Sequence, residues 1–276
     1  MTQESILTVK SSKLNPAKMI LLFSLKFMHL FYKALPYVAF RYGKFTLRLP
    51  LRLFDKRIRC SLFFRPFVWC DVYMIYEQYV IDVYEHLREI MPGDVVVDVG
   101  AYVGDFTVKA CSKIGRKGRV IAFEPSSEEF NLLRRNIDVN LIKNCLLYNI
   151  ACGDSVANKK LYWSASAQHN PGSKSLVNGP KIGKSVLSVV SIQKLDDVCK
   201  NAGITHVDFL KVDAEGYALE VLKGAEGLLR NGTYIAMELH LPSEREVRTY
   251  LSKLGYKQVV RLNPPWGGIL YAFRTG

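Results

Sequence analysis

The stretch VVVDVGAYVGDFT, residues 95–107, decides the fold. It opens with a short apolar run typical of a buried strand, and glycines follow at positions 100 and 104 before a helical pattern begins. Gly100 permits a tight backbone turn close to a ligand, and Gly104 permits the following helix to pack closely. A strand, a glycine loop and a helix in this order predict the first unit of a parallel sheet, with a nucleoside-type cofactor at the loop.

Short apolar runs alternate with helical periods through the rest of the chain. Four more parallel strands are predicted at 120–123, 145–150, 207–212 and 234–239, and the helices between them include 127–141 and 243–254. The last two strands, 256–261 and 269–273, are joined by too few residues for a helical crossover and must be antiparallel. The expected fold class is α/β, a seven-stranded Rossmann-like sheet that ends in an antiparallel hairpin.

The end of the second predicted strand favours one class of cofactor. Glu124 lies 24 residues after Gly100, where a carboxylate can accept hydrogen bonds from both ribose hydroxyls. The loop lacks the G-x-G-x-x-G pattern of dinucleotide sites and begins with Asp98, a carboxylate suited to an amino group, directly or through water. These features favour S-adenosylmethionine over NAD.

Several motifs in this order resemble the FkbM family of S-adenosylmethionine-dependent methyltransferases, which have the class I methyltransferase sheet. The matching stretches are Asp98–Gly104 with Phe106 and Thr107, Phe123–Pro125, Asn136, Asn140, Ala151–Asp154, Asp208–Gly216, Leu222–Ala225 and Glu238–His240. The resemblance implies an O-methyltransferase whose acceptors are hydroxyls of sugars, polyketides or other secondary metabolites. Tyr102 stands where the family commonly has Asn, and Ala218 where it often has Glu. The expected cofactor-binding residues are Asp98, Gly100, Ala101, Tyr102, Gly104, Glu124, Pro125, Asp154 and Asp213.

Ionisable residues follow the predicted fourth and fifth strands. Lys211 and Asp213 share one face of their strand, Glu238 and His240 share one face of theirs, and open parallel sheets bind ligands at these carboxyl ends. His240 is the side chain best suited to accept the proton of an attacking hydroxyl near neutral pH, and Asp213 or Glu215 could orient it or replace it. The predicted catalytic residues are therefore His240, Asp213, Glu215 and Lys211, and no metal site is predicted.

The N-terminal quarter has a different character. Residues 1–70 carry 13 basic and two acidic residues, whereas the remainder carries 25 and 23. A basic amphipathic helix is predicted at about 17–35, followed by an edge strand over 44–53 and an acidic, aromatic helix over 71–90. The predicted boundary near Met91 separates this basic extension (1–91) from a catalytic domain (92–276). The first helix either lies in a membrane interface or packs on its own domain.

Other patterns limit the location and the class of protein. Six cysteines without C-x-x-C or zinc spacing indicate reduced thiols and a cytoplasmic protein. If the basic helix binds lipid, the protein is expected to be peripheral on the inner face of the membrane. Lysines at 26 and 33 argue against a membrane span and a signal peptide. The turn-rich segment 152–191 is expected either to hold a small hairpin and a mobile flap over the acceptor or to be a disordered surface insertion.

Three functions remain open at this point. The first is an O-methyltransferase acting on a hydroxyl of a glycan, a lipid-linked glycan or a secondary metabolite. The second is an RNA methyltransferase that uses the basic N-terminus. Asn263–Trp266 looks like the motif of adenine or cytosine N-methyltransferases, but that motif belongs at the end of the fourth strand, and here it is expected to be a turn between the last two strands. The third is a non-catalytic, cofactor-binding protein docked at a membrane.

Overall fold

A seven-stranded sheet organises the chain in the computed structural model, which describes residues 41–42, 45–46, 51–55, 60–65, 68–164, 174–177, 184–239, 244–262 and 268–274. The strands are Arg41–Tyr42 (β1), Phe45–Thr46 (β2), Leu51–Asp55 (β3), Cys60–Phe64 (β4), Val95–Val99 (β5), Arg119–Phe123 (β6), Cys145–Tyr148 (β7), Ala151–Cys152 (β8), Ala157–Ser164 (β9), Lys184–Gln193 (β10), Phe209–Val212 (β11), Tyr234–Glu238 (β12), Gln258–Leu262 (β13) and Ile269–Phe273 (β14). The helices are Trp69–Tyr76 (α1), Asp105–Ile114 (α2), Ser127–Val139 (α3), Leu195–Asn201 (α4), Ala218–Lys223 (α5), Glu226–Arg230 (α6) and Glu244–Lys253 (α7).

The strand order is β13-β14-β12-β11-β5-β6-β7. Strands β7, β6, β5, β11 and β12 are parallel, whereas β14 pairs antiparallel with both β12 and β13. The predicted sheet and its terminal hairpin are confirmed. The chain runs outward from β5 through β6 to β7 and then returns to β11, so the order reverses between β5 and β11. Such a switch point opens a crevice at the carboxyl ends of the strands.

The two faces of the sheet are covered by different parts of the chain. One face packs Val97, Leu210 and Ile235 against helices α4 to α7. On the other face, Val96 and Phe209 pack against α2 and against residues 83–90, which precede the sheet. The alternation of side chains along β5 and β11 places Asp98 and Lys211 on this second face.

The predicted hairpin inside 152–191 is confirmed. Strands β9 and β10 pair antiparallel, and β10 also pairs parallel with β8, which makes a separate three-stranded sheet. A short described piece, residues 174–177, pairs with β9 through an isolated bridge between Tyr162 and Ser175. Residues 165–173 and 178–183 lie outside the described residues, so the mobility expected of this flap stays a prediction.

The expected domain boundary near Met91 is not where the chain divides. Its two compact units are Met1–Arg48 and Leu49–Gly276. We call residues 60–65 and 68–91 the leading segment. It belongs to the second unit because its side chains enter the core: Leu62 and Tyr79 pack with Val108 and Leu133, and Tyr84 stacks edge-on against Phe106.

The helix expected over 71–90 is also shorter than predicted. The structure has α1, a π-helical turn at Glu77–Ile81 and then irregular backbone, with Asp82 at φ +58°. Leaving the helix lets Glu85 reach Lys109 and Lys113 on α2, at 2.8 and 2.5 Å. The predicted edge strand over 44–53 is likewise divided, since the structure has β2 and then β3, which pairs with β4.

The basic helix predicted at 17–35 lies outside the described residues. Within the first unit, the described strands β1 and β2 form a two-stranded antiparallel pair. No helix among the residues that the structure describes is long and apolar enough to span a membrane.

Two asparagines, one on α3 and one at its C-terminal cap, attach the leading segment to the sheet domain. Asn136 accepts a hydrogen bond from the backbone N–H of Phe63 (2.6 Å) and donates to the carbonyls of Phe63 (3.0 Å) and Val103 (2.7 Å). One turn later, Asn140 makes the same pair of bonds with Ser61 (2.7 and 2.6 Å). The two amides therefore pair with β4 as a neighbouring strand would.

Removing one of these amides should destabilise the protein. Asn136 is fully buried, so Asn136→Ala leaves the peptide groups of Phe63 and the carbonyl of Val103 without partners. We expect the free energy of unfolding to fall by about 2–4 kcal/mol, measured by urea denaturation. Asn131→Ala on the exposed side of the same helix is the control, with an expected change of about 0.5 kcal/mol or less. Equal effects of the two changes would show that the β4 attachment adds no stability.

Candidate functional site

The glycine loop is fixed by contacts with both neighbouring strands. The N–H groups of Gly100 and Ala101 both donate to the carbonyl of Phe123, at 3.0 and 2.9 Å. Gly100 has φ +77°, and a Cβ at this position would collide with the carbonyl oxygen of Asp213. Glycine is therefore required at position 100 both by the turn and by the close approach of the backbone that follows β11. Gly104, at φ +89°, begins α2 where a side chain would press on Leu133 of α3.

Lys211 lies beneath this loop as a buried cation. Its ammonium donates to the carbonyl of Gly100 at 2.5 Å and lies 3.1 Å from Asp98 Oδ1 and 3.7 Å from Asp213 Oδ2. Burial alone would lower the pKa of Lys211, but the carboxylates of Asp98 and Asp213 raise it above its usual range. Lys211 thus stays charged and ties β5 to β11.

The two carboxylates beside Lys211 differ in exposure. Asp98 is fully buried, and its second oxygen accepts a hydrogen bond from Thr107 at 2.5 Å. The Asp213 side chain is 16% exposed, and its Oδ2 accepts from Tyr84 at 3.2 Å. Asp98, expected to face an amino group of the cofactor, is thus engaged within the protein, and Asp213 is the carboxylate that a ligand can reach.

More acidic side chains lie around the same sheet edge. Burial, followed by the charges of Glu238 and Asp213, raises the pKa of Glu77 to about 8. Burial also raises the pKa of Asp105 to about 7, with Lys211 opposing the shift. Among the described residues of this edge, carboxyl groups outnumber the ammonium of Lys211, and their raised pKa values indicate that a cationic ligand group would be favoured.

Glu124 is held at the end of β6 by backbone donors. Oε2 accepts from the N–H of Tyr102 at 2.9 Å, and Oε1 accepts from the N–H of Ser126 at 2.8 Å. Burial raises its pKa to about 7, the charge of Glu129 adds to the shift, and these two hydrogen bonds oppose it. Both carboxylate oxygens are thus fixed in position while each keeps a lone pair for a further donor.

The side chain of Tyr102 points to the leading segment. Its hydroxyl donates to Asp71 Oδ1 at 2.6 Å and accepts from Arg65 at 2.9 Å. Burial, and then the charge of Asp71, raise its pKa well above the usual range. Tyr102 therefore serves the predicted cofactor site through its backbone N–H rather than through its phenol.

The loop after β11 meets the described piece of the flap. Glu215 has φ +43°, its carbonyl accepts from Ser175 Oγ at 2.7 Å, and Gly216 follows at φ +91° beside Val177. Lys174 donates to Ser126 Oγ at 3.0 Å and pairs with Glu129. Residues 174–177 thus connect the Glu124 side of the crevice with the Glu215 side.

The remaining predicted site residues are placed less centrally or not at all. Pro125 follows Glu124 and its carbonyl accepts from Asn149 at 3.1 Å. Asp154 is exposed on the turn between β8 and β9, where Ser155 donates to it. His240, the predicted proton acceptor, lies outside the described residues.

A basic depression of about 550 Å³ lies at the opposite edge of the sheet, and we assign it no ligand. It is lined by Arg116, Lys117, Arg119 and Lys143, close to where α2, α3 and α4 end. Helix carboxyl ends carry partial negative charge that nearby cations complement, which accounts for this composition.

The profile of the methyltransferase FkbM domain matches residues 98–257, more than half of the chain. The chain belongs to the FkbM methyltransferase family. It is 26% identical over 181 residues to hexuronic acid methyltransferase AglP of Haloferax volcanii, covering 61% of this chain and 69% of that one. It is 24% identical over 184 residues to methyltransferase sdnD of Sordaria araneosa, covering 56% and 70%.

A solved relative supports the fold. The crystal structure of methyltransferase FkbM from Methylobacillus flagellatus KT aligns with a TM-score of 0.50 and 18% identity. The alignment covers 80% of this chain and 56% of that one, so the chain spans a little over half the length of the solved relative. The class I methyltransferase sheet expected from the sequence is confirmed.

Sequence reasoning missed four residues that the structure places around the candidate site: Arg65, Asp71, Tyr84 and Lys174. All four lie outside the strand ends on which the motifs concentrate. Arg65 stands in a run of basic and apolar residues whose pattern does not distinguish it from a solvated arginine, and Tyr84 stands in a stretch predicted to be helical. Only the folded chain brings them to the carboxyl edge of the sheet.

Because Gly100 lies so close to the end of β11, adding a single methyl group at this position should strongly destabilise the fold. Gly100→Ala should displace the end of β11 and lower the free energy of unfolding by roughly 3 kcal/mol or more, because both a left-handed φ and a backbone collision are involved. Gly115→Ala is the matched control: φ is +65° but nothing lies within 4 Å, so about 1 kcal/mol is expected. Thermal and urea unfolding compare them, and equal losses would contradict the proposed collision.

Proposed function

We propose that this FkbM-family protein is an S-adenosylmethionine-dependent O-methyltransferase acting on a hydroxyl of a glycan, a lipid-linked glycan or a secondary metabolite. The observation that carries the proposal is Glu124, a buried carboxylate beside the glycine loop with both oxygens fixed by backbone N–H groups. It lies at the end of β6, next to the switch point of the sheet. Relatives that include a hexuronic acid methyltransferase support this class of acceptor.

The residues present fit S-adenosylmethionine better than a dinucleotide. Glu124 can accept hydrogen bonds from two ribose hydroxyls, and Gly100 and Ala101 bring bare backbone to the crevice. The carboxylates around Lys211 favour a cationic group and would repel a pyrophosphate. Asp213 is the partly exposed carboxylate for the amino group of the amino-acid portion. When bound, the cofactor supplies an electrophilic methyl group on a sulfonium.

The chain's own residues would position the acceptor and remove its proton. Tyr84 and Lys211 both contact Oδ2 of Asp213, which among the described residues leaves Oδ1 as the oxygen for the amino group of the cofactor. His240 comes two residues after the end of β12 in the sequence, and β12 pairs with β11. It is our candidate to accept the hydroxyl proton as the oxygen attacks. Residues 174–177 help to exclude water over the crevice.

The direct test is methyl transfer from labelled S-adenosylmethionine to glycan and lipid extracts, followed by mass spectrometry of the labelled product. Label on a hydroxyl oxygen supports the proposal. Label on RNA would favour the alternative that uses the basic N-terminus, whereas cofactor binding without transfer to any extract would favour a non-catalytic binding protein.

The raised pKa of Glu124 predicts that cofactor binding depends on pH. Below about pH 7 the carboxyl is protonated in the free protein and loses acceptor capacity for the ribose. Affinity for S-adenosylhomocysteine, measured by calorimetry, should therefore rise between pH 6 and pH 8. Glu124→Gln should bind more weakly and with a flatter pH dependence in this range.

The same group has an opposite effect on the stability of the free protein. Its folded pKa lies above the unfolded value, so its favourable contribution is complete below about pH 4.5 and is lost as the pH rises through 7. Glu124→Gln should then be more stable than the wild type at pH 8, and the difference should shrink toward pH 5. A wild-type affinity that does not change with pH would contradict the role of Glu124.

A further prediction concerns the proton acceptor. His240→Ala should lower turnover by about 10² to 10⁴ while leaving cofactor affinity nearly unchanged. The rise of wild-type turnover with pH through the histidine titration should disappear in this variant. Full turnover of His240→Ala would transfer the role to Asp213 or Glu215, which Asp213→Asn and Glu215→Gln then distinguish.

A further inference from the structure

Arg65 of the leading segment is a buried guanidinium with unusually complete pairing. It is 8% exposed and forms a two-point contact with Asp71, at 3.0 and 2.9 Å. It also donates to Glu128 and Glu129, each at 2.9 Å, and to the hydroxyl of Tyr102 at 2.9 Å. One side chain thereby joins the leading segment, the glycine loop and the first turn of α3.

Tyr102 needs such support because of its backbone. Its φ is +51°, the left-handed region that a bulky side chain rarely adopts. The phenol is held between Arg65 and Asp71, and the guanidinium carbon lies 5.5 Å from the ring centre. The N–H presented by this conformation is the one that donates to Glu124 Oε2.

A second path leads from Arg65 to the other oxygen of Glu124. Glu129, which accepts from Arg65, also pairs with Lys174, and Lys174 donates to the hydroxyl of Ser126. The N–H of Ser126 donates to Glu124 Oε1. We call Arg65 and the side chains that it contacts, namely Asp71, Tyr102, Glu128 and Glu129, the Arg65 cluster. Both backbone groups that fix Glu124 belong to residues that this cluster holds, Tyr102 directly and Ser126 through Lys174.

We propose that Arg65 is a positioning residue of the cofactor site, acting through Tyr102 on the glycine loop and on Glu124. The inference rests on the proposed function, since it assumes that Glu124 binds the ribose. It extends the site to the leading segment, outside the residues matched by the family profile. Arg65 itself touches neither the cofactor nor the acceptor in this assignment.

A double-mutant cycle separates positioning from general stabilisation. Arg65→Met is compared in the wild type and in Tyr102→Asn, because asparagine adopts a left-handed φ readily and does not need the support of Arg65. Calorimetry with S-adenosylhomocysteine should show affinity reduced about tenfold by Arg65→Met in the wild type, and threefold or less in Tyr102→Asn. The loss of thermal stability should be similar in both backgrounds, since Asp71 and Glu129 lose their partner in each. Equal affinity losses in both would overturn the inference.

Two further variants keep the test decisive if Arg65→Met does not fold. Tyr102→Phe removes only the hydroxyl that meets Arg65 and Asp71, and should weaken S-adenosylhomocysteine binding about threefold to tenfold. Arg88→Met is the control: Arg88 lies in the same segment and pairs with Asp94 at 2.9 Å, away from the glycine loop, so affinity should be unchanged. Unaltered affinity in Tyr102→Phe overturns the inference. Absence of binding by the wild type would instead count against the proposed function.

Discussion

The buried ammonium of Lys211 is the interaction on which the two halves of the sheet depend. Between β5 and β11 the strand order reverses, which opens a crevice. Without Lys211, the carbonyl of Gly100 and the carboxylate of Asp98 beside this crevice would each lose a partner. Lys211 bonds to the Gly100 carbonyl and lies against Asp98, so one cation holds the glycine loop and the neighbouring strand together. Because an unpaired buried charge in this position would be costly, substituting either Lys211 or Asp98 alone is expected to destabilise the protein more than replacing both with apolar residues.

That pairing also determines which carboxylates remain available to a ligand. Both oxygens of Asp98 are engaged, one by Lys211 and one by Thr107. Asp213 is partly exposed, and one of its oxygens contacts Tyr84 and Lys211. Glu124 is separated from this cluster by the glycine loop and is held by backbone donors instead. The crevice therefore offers a carboxylate on each side of the loop, which suits a ligand with a ribose at one end and a charged amine at the other.

The sheet could be predicted from the sequence because apolar runs, their spacing and the short final connection depend on local pattern and chain length alone. Glu124 and the glycine loop follow from the same pattern. The leading segment could not be predicted in this way. Its helical turns end at Ile81, and the chain then leaves the helix so that Glu85 meets two lysines on α2. Asn136 and Asn140 pair with β4 as a neighbouring strand would. Those contacts join residues 24 to 79 positions apart, which no local periodicity records.

The Arg65 cluster illustrates what such distant contacts contribute. Burying a guanidinium with Asp71 and Glu129 carries a desolvation cost that well-packed apolar side chains would avoid, so stability alone is a weak reason for it. What an apolar cluster would lack is direction: the fork of Arg65 fixes Asp71 and the Tyr102 hydroxyl at defined angles, and Tyr102 in turn fixes the N–H that meets Glu124. A cofactor site that depends on hydrogen-bond geometry thus has a physical reason to include residues from before the first strand of its sheet.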